Sequence, residues 1–243
     1  MTVLLAFDTA TERTFIGLRA NERRWTREGH GGARASATFL PEVLALLADA
    51  ALGVNEVDAI AYGRGPGAFT GLRVACSVAQ GLALGARKPV IALDTLLAVA
   101  EDARAFLASG SEGRSDATAL PSLAVWALQD ARMDEIYAAE YVHEAGTWRT
   151  RVVPCLSTPE ALSARWLEAP PAVVAGNALP AFGTRLATGL AVRVPEAAPR
   201  GAALLTLADA AWAKGALLQA VDAVPLYVRD KVALTTAERE AVR

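Results

Sequence analysis

The segment GRGPGAFTGLR, residues 63–73, constrains the fold more than any other part of this 243-residue chain. Three glycines and one proline within five positions cannot continue a strand or a helix, so the backbone must turn there. The apolar run before the segment, residues 57–62, predicts a strand, and residues 69–84 predict a helix. A glycine-rich turn between a strand and a helix either offers backbone N–H groups to an anion or serves backbone geometry alone.

The spacing of this loop matches neither the dinucleotide-binding pattern G-x-G-x-x-G nor the Walker pattern, which ends in Lys-Ser/Thr. We therefore expect its residues to be structural, and we expect Gly65 and Gly67 to adopt backbone angles closed to other residues. Arg64 and Arg73 flank the loop and could meet phosphate or lie solvated. The residues assigned to the structural loop are Gly63, Gly65, Pro66, Gly67, Thr70, Gly71 and Arg73.

The composition indicates a folded globular protein, because 53% of the residues are hydrophobic and 21% are charged. A net charge of −2 argues against autonomous, charge-driven binding of RNA. The two cysteines, Cys76 and Cys155, are interpreted as reduced. Neither a signal peptide nor a stretch of about 20 apolar residues is evident, so we expect a cytoplasmic protein with no membrane partner.

The two halves of the chain begin alike. An apolar strand ending in Asp8 is followed by a turn and a second strand through Phe15, and the same pattern recurs at Asp130 and Ile136. This weak internal repeat predicts two lobes, each opening with a β-meander. We predict a first lobe at residues 1–108, a polar linker at 109–118 and a second lobe with a tail at 119–243.

Three strings resemble the TsaB family, also called YeaZ: Asp8-Thr9-Ala10-Thr11-Glu12, the segment GRGPGAFTGLR, and Asp130-Ala131-Arg132-Met133. The resemblance is strongest over residues 1–95, and the tail Pro225-Leu226-Tyr227-Val228-Arg229 also matches a closing segment of that family. The resemblance implies an α/β protein of the actin-like (ASKHA) class, with a duplicated RNase H-like, two-lobe fold.

The same resemblance implies a function: a non-catalytic scaffold subunit in the synthesis of N6-threonylcarbamoyladenosine at position 37 of tRNA. Its implied partners are the catalytic paralogue TsaD and the small ATPase TsaE, with tRNA reached indirectly through the complex. We expect a homodimer when the protein is alone, and no cofactor. Two alternatives of the same fold remain, an ATP-dependent phosphotransferase and a metallopeptidase.

An actin-like phosphotransferase holds a nucleotide between two turns whose backbone N–H groups clasp phosphates, and such turns normally contain glycine. Here the turns are Thr9-Ala10-Thr11 and Ala131-Arg132-Met133, and neither contains glycine. Lone Gly176 beside Asn177 is a weak match to an adenosine-binding loop. We therefore interpret Asp8, Thr9, Thr11 and Asp130 as a vestigial nucleotide loop or as turn caps.

A metallopeptidase of this superfamily needs metal ligands, such as two histidines one helical turn apart. His30 and His143 are the only histidines, and they are more than a hundred positions apart. No G-x-S-x-G nucleophile motif occurs either. We expect no metal site and no catalytic residue.

Two predicted helices, residues 38–52 and 69–84, carry more apolar positions than one packed face requires. On the second, Gly71, Ala75, Ala79 and Ala83 form a stripe of small residues that would permit close helix-on-helix contact. We predict a helical-bundle interface with the paralogue, or with a second copy of this chain. The alternative is that both helices simply lie between sheet and solvent. The residues assigned to the interface are Phe39, Leu40, Val43, Leu46, Leu72, Ala75, Cys76 and Ala79.

Overall fold

The computed structural model describes residues 2–32, 35–110 and 122–229, and from residue 111 onward the predicted linker lies outside the described residues. The strands are β1 (Val3–Asp8), β2 (Arg13–Ala20), β3 (Arg23–His30), β4 (Ala59–Gly65), β5 (Val90–Asp94), β6 (Ser122–Arg132), β7 (Glu135–Glu144), β8 (Thr147–Ser157), β9 (Val173–Ala175) and β10 (Val192–Val194). The helices are α1 (Ala35–Asp49), α2 (Phe69–Ala86), α3 (Thr95–Ser109), α4 (Pro159–Glu168), α5 (Ala178–Phe182) and α6 (Gly201–Ala213).

Two five-stranded sheets share one topology. The first has the order β3-β2-β1-β4-β5, and the second has the equivalent order β8-β7-β6-β9-β10. In each sheet the first three strands form an antiparallel meander and the last two add in parallel. This duplication confirms the predicted internal repeat and the two-lobe, actin-like α/β fold.

Helices cover both faces of the first sheet. On one face, α1 and α2 bury side chains such as Phe39 and Val43 against Phe7 and Ile60. On the other face lie α3 and α6, with Leu204 and other apolar residues of α6 against β1 and β4. Burial of an apolar side chain of this size contributes roughly 1.5–3 kcal/mol, so these layers account for much of the stability.

Helix α6 departs from the predicted division at residue 119, because it lies beyond the second sheet in sequence but packs on the first. Gly17 of β2 and Gly201 of α6 are in close contact there. A Cβ added at Gly17 would lie 2.5 Å from the carbonyl oxygen of Gly201, and one added at Gly201 would lie 2.4 Å from that of Ile16. The chain returns to the first sheet because α6 is apolar around most of its circumference and needs cover on more than one side.

The second sheet is covered by α3 on one face and by α4 and α5 on the other. Trp126 of β6 and Trp166 of α4 pack edge to face there, with ring centroids 5.7 Å apart. Helix α3 contributes to the layers of both sheets, because it also contacts β4, β5 and α6. It therefore joins the two lobes.

One element boundary differs from the expectation. Helix α1 begins at Ala35, earlier than residue 38, and so contains Pro41, which cannot donate a hydrogen bond to the preceding turn. Strand β3 extends to Gly29 and His30, which pair with Thr14 and Arg13 of β2. Among the described residues, α2 is the one helix long and apolar enough to span a membrane, yet one of its faces lies in the first lobe's core.

Candidate functional site: the glycine loop, the interlobe cleft and the outer helices

The glycine loop, residues 63–73, lies in direct contact with the turn that joins β1 to β2. A Cβ added at Gly63 would lie 1.8 Å from Asp8 Oδ2, and one at Gly71 would lie 1.9 Å from the carbonyl oxygen of Thr9. At Gly67 the nearest atoms would be those of Ala10, at 2.5 Å. Real Cβ contacts are never this short, so these glycines let the loop and the β1–β2 turn touch.

Gly65 differs from its neighbours because its φ is +115°, in the region that side chains disfavour. The same expectation for Gly67 is wrong: its φ is not positive, and close packing on Ala10 explains the glycine instead. Pro66 follows Gly65 through a cis peptide bond. Thr70 lies exposed in the first turn of α2.

Hydrogen bonds hold the loop on the turn. The hydroxyl of Thr9 donates to the carbonyl oxygen of Gly71 at 2.6 Å, and the N–H of Ala68 donates to that of Ala10 at 2.8 Å. The Gln129 side chain from the second lobe donates to the same Ala10 oxygen at 3.1 Å. The start of α2 is thus held by the chain's own backbone rather than arranged as an open cradle for an anion.

Asp8 is buried beneath this assembly and does not line the cleft between the lobes. Its Oδ1 accepts from the N–H of Ala10 at 2.7 Å, and its Oδ2 accepts from the hydroxyl of Thr95 at 2.6 Å. Burial raises the pKa of Asp8 to about 6, although these two hydrogen bonds act in the opposite direction. The carboxylate therefore acts as a turn cap inside the first lobe.

The flanking arginines also have partners within the chain. Arg64 Nε lies 2.6 Å from Asp94 Oδ1, at the end of β5. The guanidinium of Arg73 lies over the Phe69 ring, 3.8 Å from its centroid, and donates to the Tyr227 hydroxyl at 3.1 Å. Both side chains thus pack on protein groups, although each stays partly exposed to solvent.

A cleft of about 560 Å³, here called the interlobe cleft, lies where an actin-like nucleotide site would lie. The β1–β2 turn, the start of α2, the β6–β7 turn and the start of α5 line it, together with residues 226–229. Arg132 of the second lobe hydrogen-bonds Glu12 of the first, and also pairs with Asp130 at 3.2 Å. The polar groups of the two turns therefore satisfy one another across the cleft.

The β6–β7 turn repeats the geometry of the β1–β2 turn with different side chains. Asp130 Oδ1 accepts from the N–H of Arg132 at 2.8 Å, just as Asp8 accepts from Ala10. Arg132, Met133 and Asp134 all have positive φ between 55° and 64°, with no glycine to relieve the strain. A phosphate-binding turn needs backbone N–H groups that no side chain covers, whereas this turn carries three side chains.

Gly176 and Asn177, the weak match to an adenosine-binding loop, contact the chain's own second sheet and its β6–β7 turn. Asn177 Oδ1 accepts from the N–H of Asp130 at 2.9 Å. Gly176 has a φ of +113°, and a Cβ there would lie 2.0 Å from the carbonyl oxygen of Leu128. Gly176 and Asn177 therefore position the β6–β7 turn.

The two histidines lie on strands of different sheets. His30 ends β3 in solvent, whereas His143 on β7 packs edge to face on Trp148, with ring centroids 5.0 Å apart. Burial, and then the nearby Arg104 guanidinium, lower the pKa of His143. Within residues 2–32, 35–110 and 122–229 no group of three or more His, Cys, Asp or Glu side chains is arranged to hold a metal ion.

Most residues assigned to the partner interface lie inside the first lobe. Leu40 is 39% exposed, but the others are 0–6% exposed and belong to the monomer's own core. The small-residue stripe of α2 likewise faces inward, because Gly71 packs on Thr9 and Ala75 joins the core with β4. The buried members are Phe39, Val43, Leu46, Leu72, Ala75, Cys76 and Ala79.

The outward faces of α1 and α2 carry apolar residues that sequence reasoning did not separate from the buried ones. Leu40 and Leu44 on α1 are 39% and 44% exposed, and Leu84 on α2 is 68% exposed. Gly81 and Gly85 lie beside Leu84 in sequence, and no atom approaches within 4 Å of a Cβ placed on either. We call these five residues the outer helix surface.

The C-terminal segment, residues 223–229, runs along α2 and was missed as part of the site. Cys76 Sγ and the Gln80 side chain donate to the carbonyl oxygen of Ala223, at 3.1 and 2.9 Å. Leu226 N–H donates to the carbonyl oxygen of Arg64 at 2.6 Å, and Arg229 hydrogen-bonds Glu135 of the second lobe. The only sequence signal for this segment was the string Pro225–Arg229.

Comparisons with known proteins agree with this architecture. A model of the family "TsaD: tRNA N6-adenosine threonylcarbamoyltransferase" matches residues 33–184. The "tRNA threonylcarbamoyladenosine biosynthesis protein TsaB" of Escherichia coli is 33% identical, over 95% of this chain and 96% of that protein. The protein of the same name from Haemophilus influenzae is 32% identical, over 94% of each.

A solved structure, YeaZ from Pseudomonas aeruginosa, superimposes with a TM-score of 0.79 at 34% identity, covering 93% of this chain and all of that one. Coverage of this extent takes in both lobes. The chain therefore belongs to the TsaB (YeaZ) family of tRNA threonylcarbamoyladenosine biosynthesis proteins.

Proposed function

We propose that this chain takes part in the synthesis of threonylcarbamoyladenosine in tRNA as a non-catalytic subunit. In this proposal it binds and supports a TsaD-like catalytic paralogue, works with a TsaE-like ATPase, and meets tRNA only through the complex. The names of its relatives, tRNA threonylcarbamoyladenosine biosynthesis proteins, support the pathway. The cytoplasm, where such a complex would meet tRNA, is the proposed location.

The interlobe cleft supports the non-catalytic part of the proposal. Asp8 is held inside the first lobe by Ala10 and Thr95, and Asp130 caps its own turn. Arg132 and Glu12, which both line the cleft, hydrogen-bond each other across it. Side chains at three successive positive-φ positions keep a polyphosphate away from the backbone of the β6–β7 turn.

The observation that carries the proposal is the outer helix surface. Leu40, Leu44 and Leu84 are exposed on neighbouring helices whose other apolar residues are mostly buried. The open flank at Gly81 and Gly85 would let the backbone of a partner helix approach closely, at an interaxial distance of roughly 8–10 Å. We propose that the paralogue's helices pack there, and that two copies of this chain pair through the same surface when the paralogue is absent.

The test is reconstitution of the modification reaction with the paralogue, the ATPase, ATP, threonine, bicarbonate, the synthase that makes the threonylcarbamoyl adenylate, and unmodified tRNA. We expect modified adenosine to form only when this chain is added, and none when this chain replaces the paralogue. Full modification without this chain would contradict the proposed role. Modification by this chain alone, with the paralogue omitted, would contradict its non-catalytic status.

A functioning ATP-dependent phosphotransferase is tested separately at the cleft. The purified chain is expected to hydrolyse ATP no faster than buffer, and it is likewise expected to cleave no peptide. Turnover above background that disappears in Asp130→Ala, at unchanged circular dichroism, would favour the phosphotransferase. Asp130 suits this test better than Asp8, because Asp8 is fully buried.

A further inference from the structure

A second cavity has a volume of about 570 Å³. Strand β5 and helices α3 and α6 form one side of it, and the turn that joins β7 to β8 forms the other. We call it the α3–α6 cavity. It shares no lining residue with the interlobe cleft. The outer helix surface does not border this cavity either, so a ligand bound in it is independent of the proposed function.

One wall of the cavity is a preorganised charged network. Glu101 is 2% exposed and accepts two hydrogen bonds from Arg104, at 2.7 and 2.8 Å. It also accepts one from the indole N–H of Trp148 at 2.9 Å. A buried carboxylate with three donors is satisfied, and it fixes the guanidinium and the indole in one orientation.

The cations around the cavity outnumber the anions. Arg64 pairs with Asp94 at 2.6 Å, and Arg104 pairs with Glu101. Lys214, at the end of α6, lines the same cavity, and its side-chain ammonium group has no hydrogen-bond or ion-pair partner among residues 2–32, 35–110 and 122–229. The surplus of one positive charge favours a ligand with one negative charge.

The rest of the cavity wall is apolar. Leu93, Leu97 and Leu207 line it, with the Trp148 indole on the second lobe's side. A volume of this size and an apolar wall with a few convergent polar groups are typical of small-molecule sites. The wall can accept a hydrocarbon or aromatic body, but offers few partners for a strongly polar one.

We propose that the α3–α6 cavity binds a small organic monocarboxylate with an apolar body. The carboxylate lies near Lys214 and the outer edge of the Arg104 guanidinium, and the apolar body lies against Trp148 and the leucines. Binding involves no covalent step. Because the cavity has walls from both lobes, its ligand stabilises their relative arrangement.

Phenylacetate and its neutral amide, phenylacetamide, test this proposal as a matched pair. Titration into ¹⁵N-labelled full-length protein is followed at the indole N–H resonance of Trp148. We expect phenylacetate to shift this resonance and to bind at least about tenfold more tightly than phenylacetamide, since a charge-assisted hydrogen bond is lost with the amide. Lys214→Ala should weaken phenylacetate by about tenfold and leave phenylacetamide unchanged.

Two variants of α6 separate this cavity from surface binding. Ala210→Phe places a ring in the cavity from an exposed lining position and should abolish the shift, whereas Ala213→Phe, which does not line the cavity, should leave it intact. No shift at millimolar phenylacetate, equal affinity for acid and amide, or unchanged binding in Ala210→Phe would each overturn the proposal. Thermal melts check that both variants fold.

Discussion

Small residues lie on both the inward and the outward face of α2, but their surroundings differ. On the inward face, a Cβ at Gly71 would lie 1.9 Å from the carbonyl oxygen of Thr9, and Ala75 is fully buried. On the outward face, nothing lies within 4 Å of a Cβ at Gly81, and Leu84 is 68% exposed. The inward residues hold the lobe together, while the outward ones are exposed and belong to the surface that we propose for a partner.

This difference teaches that a stripe of small residues does not by itself indicate a partner. The stripe at Gly71, Ala75, Ala79 and Ala83 was predicted to meet another helix, yet it lets α2 approach β4 and the β1–β2 turn of its own lobe. Periodicity marks a face that packs closely, but only the fold says against what.

The largest effect is expected from placing a charge on the inward face. Ala75→Glu should unfold the first lobe or cost about 4 kcal/mol or more, because the carboxylate would be buried without a partner. Ser77→Glu, two positions along on the exposed side, should change the free energy of unfolding by no more than about 0.5 kcal/mol. Urea unfolding of both variants measures this, and equal stabilities would erase the contrast between the faces.

The second expected effect concerns glycine on the two faces. Gly71→Val should destabilise the protein by about 3 kcal/mol, since its side chain would overlap the Thr9 backbone. Gly81→Ala should stabilise it by about 0.5–1 kcal/mol through helix propensity. Calorimetric melting of the two variants measures these changes in stability. If Gly71→Val were as stable as wild type, the glycine loop would not pack on the β1–β2 turn as described.

The buried Asp8 beneath the inward face predicts a pH dependence. The pKa of Asp8 rises from 3.8 to about 6 on folding, so the folded state binds the proton more tightly. Tighter proton binding stabilises the folded state fully at pH values below the unfolded pKa of 3.8. That stabilisation is lost as the pH rises through the folded pKa of about 6. Asp8→Asn removes it, so relative to wild type the variant should gain up to about 3 kcal/mol between pH 4 and pH 7.

The measurement is the difference between the two free energies of unfolding across that pH range. Thr11→Val serves as a control, because Thr11 lies in the same turn but its hydroxyl hydrogen-bonds Arg13 and not Asp8. A difference that stays constant with pH would show that Asp8 is ionised normally in the folded protein.

The smallest effect on stability is expected at the C-terminal segment, where Tyr227 contacts the start of α2. Tyr227→Phe removes the acceptor of the Arg73 hydrogen bond but keeps the ring near Phe69, with centroids 5.5 Å apart in the wild type. Because these groups are partly exposed, we expect a loss below about 1 kcal/mol. A loss of several kcal/mol in thermal melts would instead make this segment part of the core.

The sequence was sufficient to predict the two lobes, because an apolar strand, an aspartate, a turn and a second strand recur at Asp8 and Asp130. It was also sufficient to place the glycine loop between a strand and a helix. It could not assign a contact to each glycine, because the partners of Gly63 and Gly71 lie more than 50 positions upstream. Loop geometry of this kind depends on tertiary contacts that local patterns do not encode.

The sequence indicated surplus apolar residues on α1 and α2 but could not say which of them are exposed. Leu40 and Leu44 remain exposed while Leu46 and Leu47 are buried, and the hydrophobic pattern of α1 is too continuous to distinguish them. The return of α6 to the first sheet and the path of residues 223–229 along α2 were likewise beyond local patterns, since both depend on a crossing between lobes.

The outer helix surface is tested most directly by sedimentation velocity with the TsaD-like paralogue of the same organism. Leu40→Glu and Leu84→Glu should fold normally and weaken the heterodimer by at least about tenfold each, because each places a charge in an apolar contact. Leu167→Glu, at a leucine 84% exposed on α4 of the other lobe, should bind like wild type. Wild-type affinity in both folded outer-surface variants would contradict the proposed interface and place the partner elsewhere.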